Sequence, residues 1–441
     1  MGKYNLPKGY SLLETLFKAK AYLDDPIGFI LKSMDKYSDT YVSTLGYKRK
    51  MIITQNPNFI NYILKENHKN YQKSELSTKK AVELFGKGLL FSNGDYWLKQ
   101  RRLIQPAFHK EKLKNLFDII IKNIDESLHS FPNEKEVDIY PLMYQLSFNI
   151  LIKSLFDIEF TKSEIDELNE NFTALQNFLL EDINNPLKKI TYPFTGEKKN
   201  ILKKVNNLRN KFRVIIEERK QTKKSFSDLL DMLLNSTYED TGLPMNEEQV
   251  IDELIILMFA GHETTANTLS WLLYLIANNA TVQDELIEVC KNIETLDSLN
   301  NEFIKATANE GMRLYPAAWM TDRVAIKNDA FEAYSYPKGT IIIPFFFGLH
   351  RHKDNWKDES SFSPKRFLDD NTLTKSKHFF PFGAGPRMCI GNNFAMAEIS
   401  FFLHKFFSKY KLEATKQEPI MKPRITLRPN KVILTINNIT N

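Results

Sequence analysis

The chain has 441 residues, of which 42% are hydrophobic, and its net charge is only +6. With no dense run of basic residues, this charge argues against a nucleic-acid partner. Two cysteines cannot build a disulfide framework and indicate a reducing compartment, so we expect a cytoplasmic protein. No run of about 18 apolar residues occurs, and we therefore expect no membrane span.

Length alone suggests about two or three domains, yet no linker, repeat or low-complexity tract divides the chain. The predicted elements begin with a β-hairpin of residues 41–45 and 51–54, turning near Gly46. A basic segment around Trp97 then predicts a helix whose cationic face is ordinarily solvated. Further helical patterns follow at residues 111–129, 141–156, 163–180 and 198–219.

A long apolar stretch covers residues 247–279 and, as a helix, would extend about 50 Å. It is apolar nearly all round over residues 250–259, which predicts a buried helix. In its middle stand Gly261, Glu263 and Thr264, although glycine and β-branched hydroxyl residues weaken helix interiors. Such a conflict between local propensity and global structure marks a functional site. The alternative is a kink made by hydroxyl groups that bond to carbonyls one turn earlier.

Three weaker patterns follow the long helix. Residues 284–293 predict an amphipathic helix that contains Cys290. Glu310 and Arg313 would face each other on a helix, although such pairs are also common on solvated surfaces. Residues 331–347 predict a second hairpin that turns around residues 337–339.

Cys389 lies in a glycine-rich segment and is the most informative residue of the chain. A cysteine thiolate can ligate a haem iron, where it favours O–O bond cleavage. Gly383, Gly385 and Gly391 would let the backbone fold tightly against a flat macrocycle. Phe382 would shield the sulfur, and Arg387 offers a cationic fork for a haem propionate. The alternatives are a buried structural cysteine and a nucleophilic cysteine, for which no suitably placed histidine is evident.

This segment resembles the haem-binding loop of the cytochrome P-450 haem-thiolate monooxygenases, and other motifs recur in the family's order. The resemblance implies a mainly α fold with small β-sheets, formed as one domain over residues 1–441. It places the long helix over haem b, with Cys389 as the metal ligand. It also implies that Ala260 and Gly261 leave room for dioxygen.

The same resemblance implies roles for further residues. The catalytic pair that delivers protons is Glu263 and Thr264. The buried cluster that stabilises the core is Glu310, Arg313 and Arg366. The side chains that bind the haem propionates are Trp97, Arg101 and Arg323. The substrate pocket is lined by Leu90, Phe91, Phe259, Ala318 and Met320, with the loop of residues 185–196 beside them.

The resemblance also implies the partners. We expect a monomer of the soluble bacterial type, with a small-molecule substrate and dioxygen as ligands. No flavin domain follows Cys389, so electrons are expected from a separate ferredoxin and ferredoxin reductase. Lys99 and Arg102 are candidates for docking this acidic donor, although solvation alone also accounts for them.

The predicted reaction is the insertion of one atom of dioxygen into a substrate C–H bond. The chain also resembles monooxygenases of marine flavobacteria. These enzymes O-demethylate methylated sugars, of the 6-O-methyl-galactose type, and release formaldehyde. Alternative substrates are a terpenoid, a fatty acid or a carotenoid. Two other functions stay open: a peroxide-driven peroxygenase and a non-catalytic haem sensor.

Overall fold

The structure, a computed structural model, describes residues 4–45, 49–132, 134–158, 160–222, 224, 226 and 228–439. The first elements are β1 (Gly9–Tyr10), α1 (Leu12–Asp24), α2 (Pro26–Tyr37), β2 (Thr40–Leu45), β3 (Arg49–Thr54), α3 (Pro57–Asn61), β4 (Tyr71–Gln72), α4 (Glu75–Phe85), α5 (Gly94–Ile104), α6 (Lys110–Leu128) and β5 (Lys135–Asp138). The central elements are α7 (Ile139–Phe156), α8 (Lys162–Asn184), α9 (Tyr192–Thr195), α10 (Glu197–Gln221), α11 (Leu229–Leu234), α12 (Glu247–Ala277) and α13 (Ala280–Lys291). The last elements are α14 (Glu302–Leu314), β6 (Arg323–Ala325), β7 (Asp329–Phe331), β8 (Tyr334–Tyr336), β9 (Ile341–Pro344), α15 (Phe346–Leu349), α16 (Lys365–Asp369), α17 (Asn392–Phe407), β10 (Tyr410–Ala414), β11 (Met421–Pro423), β12 (Leu427–Pro429) and β13 (Ile433–Asn438).

The fold is mainly α with small β-sheets, which confirms the predicted fold class. The four helices predicted between residues 111 and 219 form as α6, α7, α8 and α10. The largest displacement is at the end of α8, which reaches Asn184 rather than residue 180. In the part of the chain that the structure describes, no helix is both long and apolar enough to cross a membrane.

The largest sheet has six strands in the order β1, β2, β3, β9, β6 and β4. Its antiparallel pair β2 and β3 places Thr40 opposite Thr54, so the first predicted hairpin is formed. The turn predicted near Gly46 lies outside the described residues. A three-stranded sheet joins β10, β13 and β5, and two further pairs are β11 with β12 and β7 with β8.

The second hairpin predicted over residues 331–347 is wrong. β7 pairs with β8 through a turn at Glu332, whose φ is 49°, and Phe331 lies opposite Tyr334. β9 does not join them, because its isoleucines are buried and it pairs with β3 and β6 in the large sheet. Residues after β9 form the short helix α15 rather than a strand. An entirely buried strand gains more from a central position than from a surface hairpin.

The helix α12 has 31 residues and is about 46 Å long. It begins after Asn246, whose side chain accepts a hydrogen bond of 2.9 Å from the amide of Gln249. Glu247 and Glu248 occupy its first turn, where negative charge suits the helix dipole. Most of its residues are buried, so tertiary packing outweighs the poor helix formers in its middle.

Buried apolar side chains form separate clusters on two sides of the molecule. The largest cluster joins α6, α7, α12 and α17. Two smaller clusters surround the large sheet. Residues of all three clusters line a central cavity of about 690 Å³, which holds the candidate site.

Candidate functional site

The loop that carries Cys389 is a compact turn before α17. Gly383 and Gly385 adopt φ values of 70° and 68°, which residues with a Cβ rarely adopt. The amide of Cys389 donates a hydrogen bond of 2.9 Å to the carbonyl of Phe382 and closes the loop. A Cβ on Gly385 would lie 1.8 Å from the carbonyl oxygen of Leu64, so only glycine allows this close approach.

The Cys389 sulfur is accessible from the central cavity. Burial by the surrounding protein raises the pKa of the thiol, whereas the amide of Gly391 and the charge of Arg101 lower it. The loop ends at the first turn of α17, where the helix dipole also favours an anion. The surroundings therefore suit a thiolate that is stabilised by a bound metal.

Gly391 does not have the backbone role that the sequence predicts. Its φ is −88°, which any residue adopts, and a Cβ there would meet nothing within 4 Å. Its position as the residue preceding α17 instead directs its amide at the Cys389 sulfur. The predicted need for glycine therefore holds for Gly383 and Gly385 but not for Gly391.

Positive charge is concentrated along one edge of the cavity. The predicted haem-binding residues Arg101, Arg323 and Arg387 all line it. Arg387 lies 4.1 Å from the ring centre of Trp97, which lines the cavity too. Burial lowers the pKa of each guanidinium, that of Arg387 to about 9. Among the described carboxylates, none forms an ion pair with these three arginines.

Lys73 joins this edge, and the sequence analysis missed it. It lines the cavity close to Arg323 and Arg387, and burial lowers the pKa of its ammonium group to about 8. The Asp322 carboxylate also lines the cavity and its charge acts on Lys73, Arg323 and Arg387, but desolvated cations in this number require further anions. The two propionates of a haem would supply them, so the residues of this edge fit the cofactor. A single lysine between β4 and α4 gives no sequence signal of this role.

Glu263 and Thr264 lie on α12 and both line the cavity. The Thr264 hydroxyl donates a hydrogen bond of 2.9 Å to the carbonyl of Ala260, the back-bonding that the sequence analysis weighed as an alternative. α12 nevertheless continues without a break. Burial raises the pKa of Glu263, while a hydrogen bond from Thr426 and the charge of Arg428 lower it. Glu263 thus retains its proton more firmly than an exposed carboxyl group.

Ala260 and Gly261 also line the cavity, but the missing side chain of Gly261 points elsewhere. A Cβ on Gly261 would lie 2.9 Å from the nearest methyl group of Leu151 in α7. The expectation that Gly261 leaves room for dioxygen therefore omits a packing role. In this structure Gly261 lets α7 pack closely on α12.

Glu310, Arg313 and Arg366 form a cluster away from the cavity wall. The Glu310 carboxylate lies 2.8 Å from Nε of Arg313 and 2.9 Å from Nε of Arg366. Glu310 and Arg313 are completely buried. The remaining donors of Arg313 bond to the carbonyls of His350 and Ser361 and to that of Glu359. The cluster therefore ties α14 to the segment before α16.

The predicted substrate-pocket residues are brought together by the fold. All five line the cavity: Leu90, Phe91, Phe259, Ala318 and Met320. The loop of residues 185–196 contributes nothing described to this wall, because α8 extends further than predicted and places Leu179 and Ile183 there. The turn between β11 and β12 was missed, although Ile425 at its centre also lines the cavity.

The proposed docking cations already have acidic neighbours. Nζ of Lys99 lies 2.6 Å from the carboxylate of Asp240, and Arg102 lies 4.0 Å from Glu239. All four side chains are exposed, so these ion pairs are weak. An acidic partner would have to displace them, and the docking role stays a prediction.

The helical fold, the accessible thiol at the start of α17 and the cation-lined cavity below a hydroxyl-bearing helix define a haem-thiolate oxygenase. The sequence model of the cytochrome P-450 family matches residues 7–436, and the chain belongs to this family. It is therefore a monooxygenase that uses haem b, receives electrons from redox partners and binds a small substrate and dioxygen.

Two similar proteins illustrate the breadth of the family. The cytokinin hydroxylase of Arabidopsis thaliana is 29% identical, over 89% of this chain and 80% of the relative. The cyclooctat-9-en-7-ol 5-monooxygenase of Streptomyces melanosporofaciens is 27% identical, over 88% of this chain and 85% of the relative. The names of these two relatives give different substrates.

Proposed function

We propose that this monooxygenase hydroxylates a mainly apolar small molecule, with Cys389 as the iron ligand and Glu263 and Thr264 as the proton-delivering pair. The observation that carries the proposal is that these three side chains and an apolar lining meet in the central cavity. The names of two relatives, a hydroxylase and a monooxygenase, support the reaction class. Terpenoids, fatty acids and carotenoids are the substrate classes of this kind.

We assign a separate role to each group of residues in the site. Bound haem b supplies the activation of dioxygen at its iron. The arginines of the cavity edge and Lys73 would hold its propionates, and Cys389 would ligate the metal. Thr264 presents its hydroxyl to the cavity, and Glu263 holds a proton behind it as a general acid.

Apolar side chains dominate the part of the cavity beneath α12. Phe91 lies 5.7 Å from Phe259, ring centre to ring centre, and Phe85 packs behind them. Leu179, Ile183 and Ile425 extend this surface. Binding there gains free energy from the burial of hydrocarbon, which favours a substrate with few polar groups.

Oxidative O-demethylation of a methylated sugar, of the 6-O-methyl-galactose type, is the second candidate. Hydroxylation of the O-methyl carbon gives a hemiacetal that releases formaldehyde. Glu253 on α12 favours this candidate, because its buried carboxyl lines the cavity and Oε1 has no hydrogen-bond partner among the described residues. Burial raises the pKa of Glu253 to about 8, so the neutral acid can donate to a hydroxyl or ether oxygen.

The iron ligand is tested by a carbon monoxide difference spectrum of the reduced protein. We expect the red-shifted Soret band of thiolate ligation in the wild type and its loss in Cys389→Ser. Cys290→Ser serves as the control, because Cys290 is buried on α13 and does not line the cavity. Retention of the band in Cys389→Ser would disprove the assignment.

The substrate class is tested by spin-state titration with a panel of terpenoids, fatty acids, a carotenoid and 6-O-methyl-galactose. We expect the low- to high-spin shift with an apolar compound and not with the sugar. A shift with the methylated sugar, absent with galactose and followed by formaldehyde release, would establish the second candidate instead.

We further propose that a ferredoxin and its reductase supply the electrons and that the protein acts as a monomer in the cytoplasm. Turnover with this donor pair should exceed turnover with hydrogen peroxide, because Glu263 and Thr264 are needed only when dioxygen is reduced. Faster turnover with peroxide would indicate a peroxygenase. Haem binding without any turnover would indicate a sensor.

A further inference from the structure

A second cavity lies on the other side of Glu263. Its volume is about 300 Å³, and Glu263, Arg424 and Ile425 border both cavities. Exposed residues of α7 and α8, Gln145 and Asn177 among them, form its outer end. The cavity therefore leads from the surface to a carboxyl group that is only 6% exposed.

The walls of this cavity are polar and incompletely hydrogen-bonded. Buried atoms without a partner among the described residues include Oη of Tyr140, Oδ1 of Asn169 and Nε of Arg428. Buried polar groups in proteins are normally satisfied, and ordered water is the usual partner. At about 30 Å³ per molecule, the volume corresponds to roughly ten waters.

The positive charges that face Glu263 come from β12 and the turn that precedes it. α7 contributes the phenols of Tyr140 and Tyr144, and α8 contributes amides and a hydroxyl group. The full positive charges are Arg424 in the turn between β11 and β12 and Arg428 on β12. Neither arginine forms an ion pair with a carboxylate that the structure describes.

The two arginines are held differently. Arg424 donates a hydrogen bond of 2.8 Å to Oδ1 of Asn177 at the outer end. Arg428 lies 5.5 Å from the ring centre of Tyr140, and its unpaired Nε is buried within the cavity wall. Arg428 is therefore the cation that acts on Glu263 from inside the protein, where screening by solvent is weakest.

We infer that protons reach Glu263 through this second cavity and that Arg428 is a positioning residue for this transfer. The Glu263 carboxylate takes a proton from a hydronium in the cavity, which becomes water, and then passes that proton toward Thr264. Arg428 stabilises the carboxylate that remains, so Glu263 releases its proton toward Thr264 more readily. The inference rests on the proposed role of Glu263 and adds the route and the residue that serve it.

The test uses the haem-loaded enzyme and the variants Arg428→Gln, Arg428→Lys and Tyr140→Phe. We expect Arg428→Gln to raise the pH at which the infrared carboxyl band of Glu263 titrates by about one unit. That band is identified by its loss in Glu263→Gln. The fraction of electrons lost as peroxide should rise several-fold while the substrate spin shift keeps its Kd, and Arg428→Lys should restore both values.

Tyr140→Phe removes a cavity hydroxyl without changing charge, so peroxide loss should rise without a shift of the band. Lys422→Gln on the exposed side of β11 is the matched control and should change neither value. Unchanged titration and unchanged peroxide loss in Arg428→Gln would overturn the inference. A weakened substrate Kd with unchanged peroxide loss would also overturn it, and would make the cavity an extension of the substrate pocket.

Glu263→Gln separates this inference from the proposed function. If that variant loses no more electrons to peroxide than the wild type, the proposed role of Glu263 fails. If its peroxide loss rises and that of Arg428→Gln does not, only the route through the second cavity fails.

Discussion

Arg313 is among the largest side chains that are fully buried, and Glu310 is the carboxylate that balances it. Removing one member of a buried ion pair leaves the other charged and desolvated. The hydrogen bonds from Arg313 and Arg366 to the Glu310 carboxylate are 2.8 to 2.9 Å long, which indicates a rigid structural element. Its effect should therefore appear in stability and not in the chemistry at the iron.

We expect Glu310→Gln to reduce the free energy of unfolding by about 3–5 kcal/mol. The control is Glu111→Gln, which breaks an exposed pair with Lys114 and should cost less than about 1 kcal/mol. Denaturant unfolding of both holoproteins measures the difference. Equal losses of unfolding free energy in the two variants would show that burial of the cluster does not increase its contribution to stability.

Glu398 is a buried carboxyl on α17 that accepts a hydrogen bond of 2.6 Å from Ser147. Burial raises its pKa to about 8 from a usual value of 4.5. Between these values the folded protein holds a proton that the unfolded chain releases, so stability falls as the pH rises through this window. This contribution of Glu398 to stability is completely lost at pH values above the pKa that Glu398 has in the folded protein.

The variant Glu398→Gln stays neutral and should lack this dependence. Its stability relative to the wild type should increase by about 1–4 kcal/mol from about pH 5 to about pH 9. Glu413→Gln on exposed β10 is the control and should follow the wild-type pH profile. A constant difference between Glu398→Gln and the wild type would mean that Glu398 is already ionised in the folded state.

The roles of single residues differ in how well the sequence predicts them. Cys389 stands in a spacing pattern with a chance frequency of roughly 10⁻⁷, so its position was predictable. Lys73 has no such pattern, since only the fold brings it beside Arg323 and Arg387. Gly391 shows the opposite error, because glycine there suggested a strained backbone that the structure does not have.

At the scale of elements, the packing of α7 on α12 depends on Gly261. The nearest methyl group of Leu151 leaves too little room for a Cβ, so Gly261→Ala should destabilise the protein by about 1–3 kcal/mol. In a Leu151→Ala background the clash is absent, and alanine should stabilise the helix by up to about 1 kcal/mol. A double-mutant cycle measured by thermal unfolding tests this coupling. Equal effects in the two backgrounds would exclude it.

Helices with a regular hydrophobic repeat were predicted well from the sequence, and short strands were not. α6 and α10 are amphipathic over many turns, which fixes their positions within about two residues. β9 has four buried residues and no alternation, so its sequence does not say which strand it joins. The turn of β11 and β12 forms the cavity wall through contacts that are distant in sequence, and no local signal marks it.

At the scale of the whole molecule, the central cavity is bordered by the large helical cluster and by both clusters of the sheet. A haem in this position would contact all three, so binding should stabilise the folded state strongly. We expect removal of the haem to lower the unfolding temperature and to broaden the transition. Reconstitution with haem should restore both, as measured by calorimetry. An unchanged transition would place the haem outside the cavity.

This arrangement has a consequence for biosynthesis. A haem held between the helical cluster and the sheet clusters would join the two sides of the core, so we expect chains made without haem to pack these sides less firmly. We therefore expect the haem supply of the producing cell to affect the yield of mature protein.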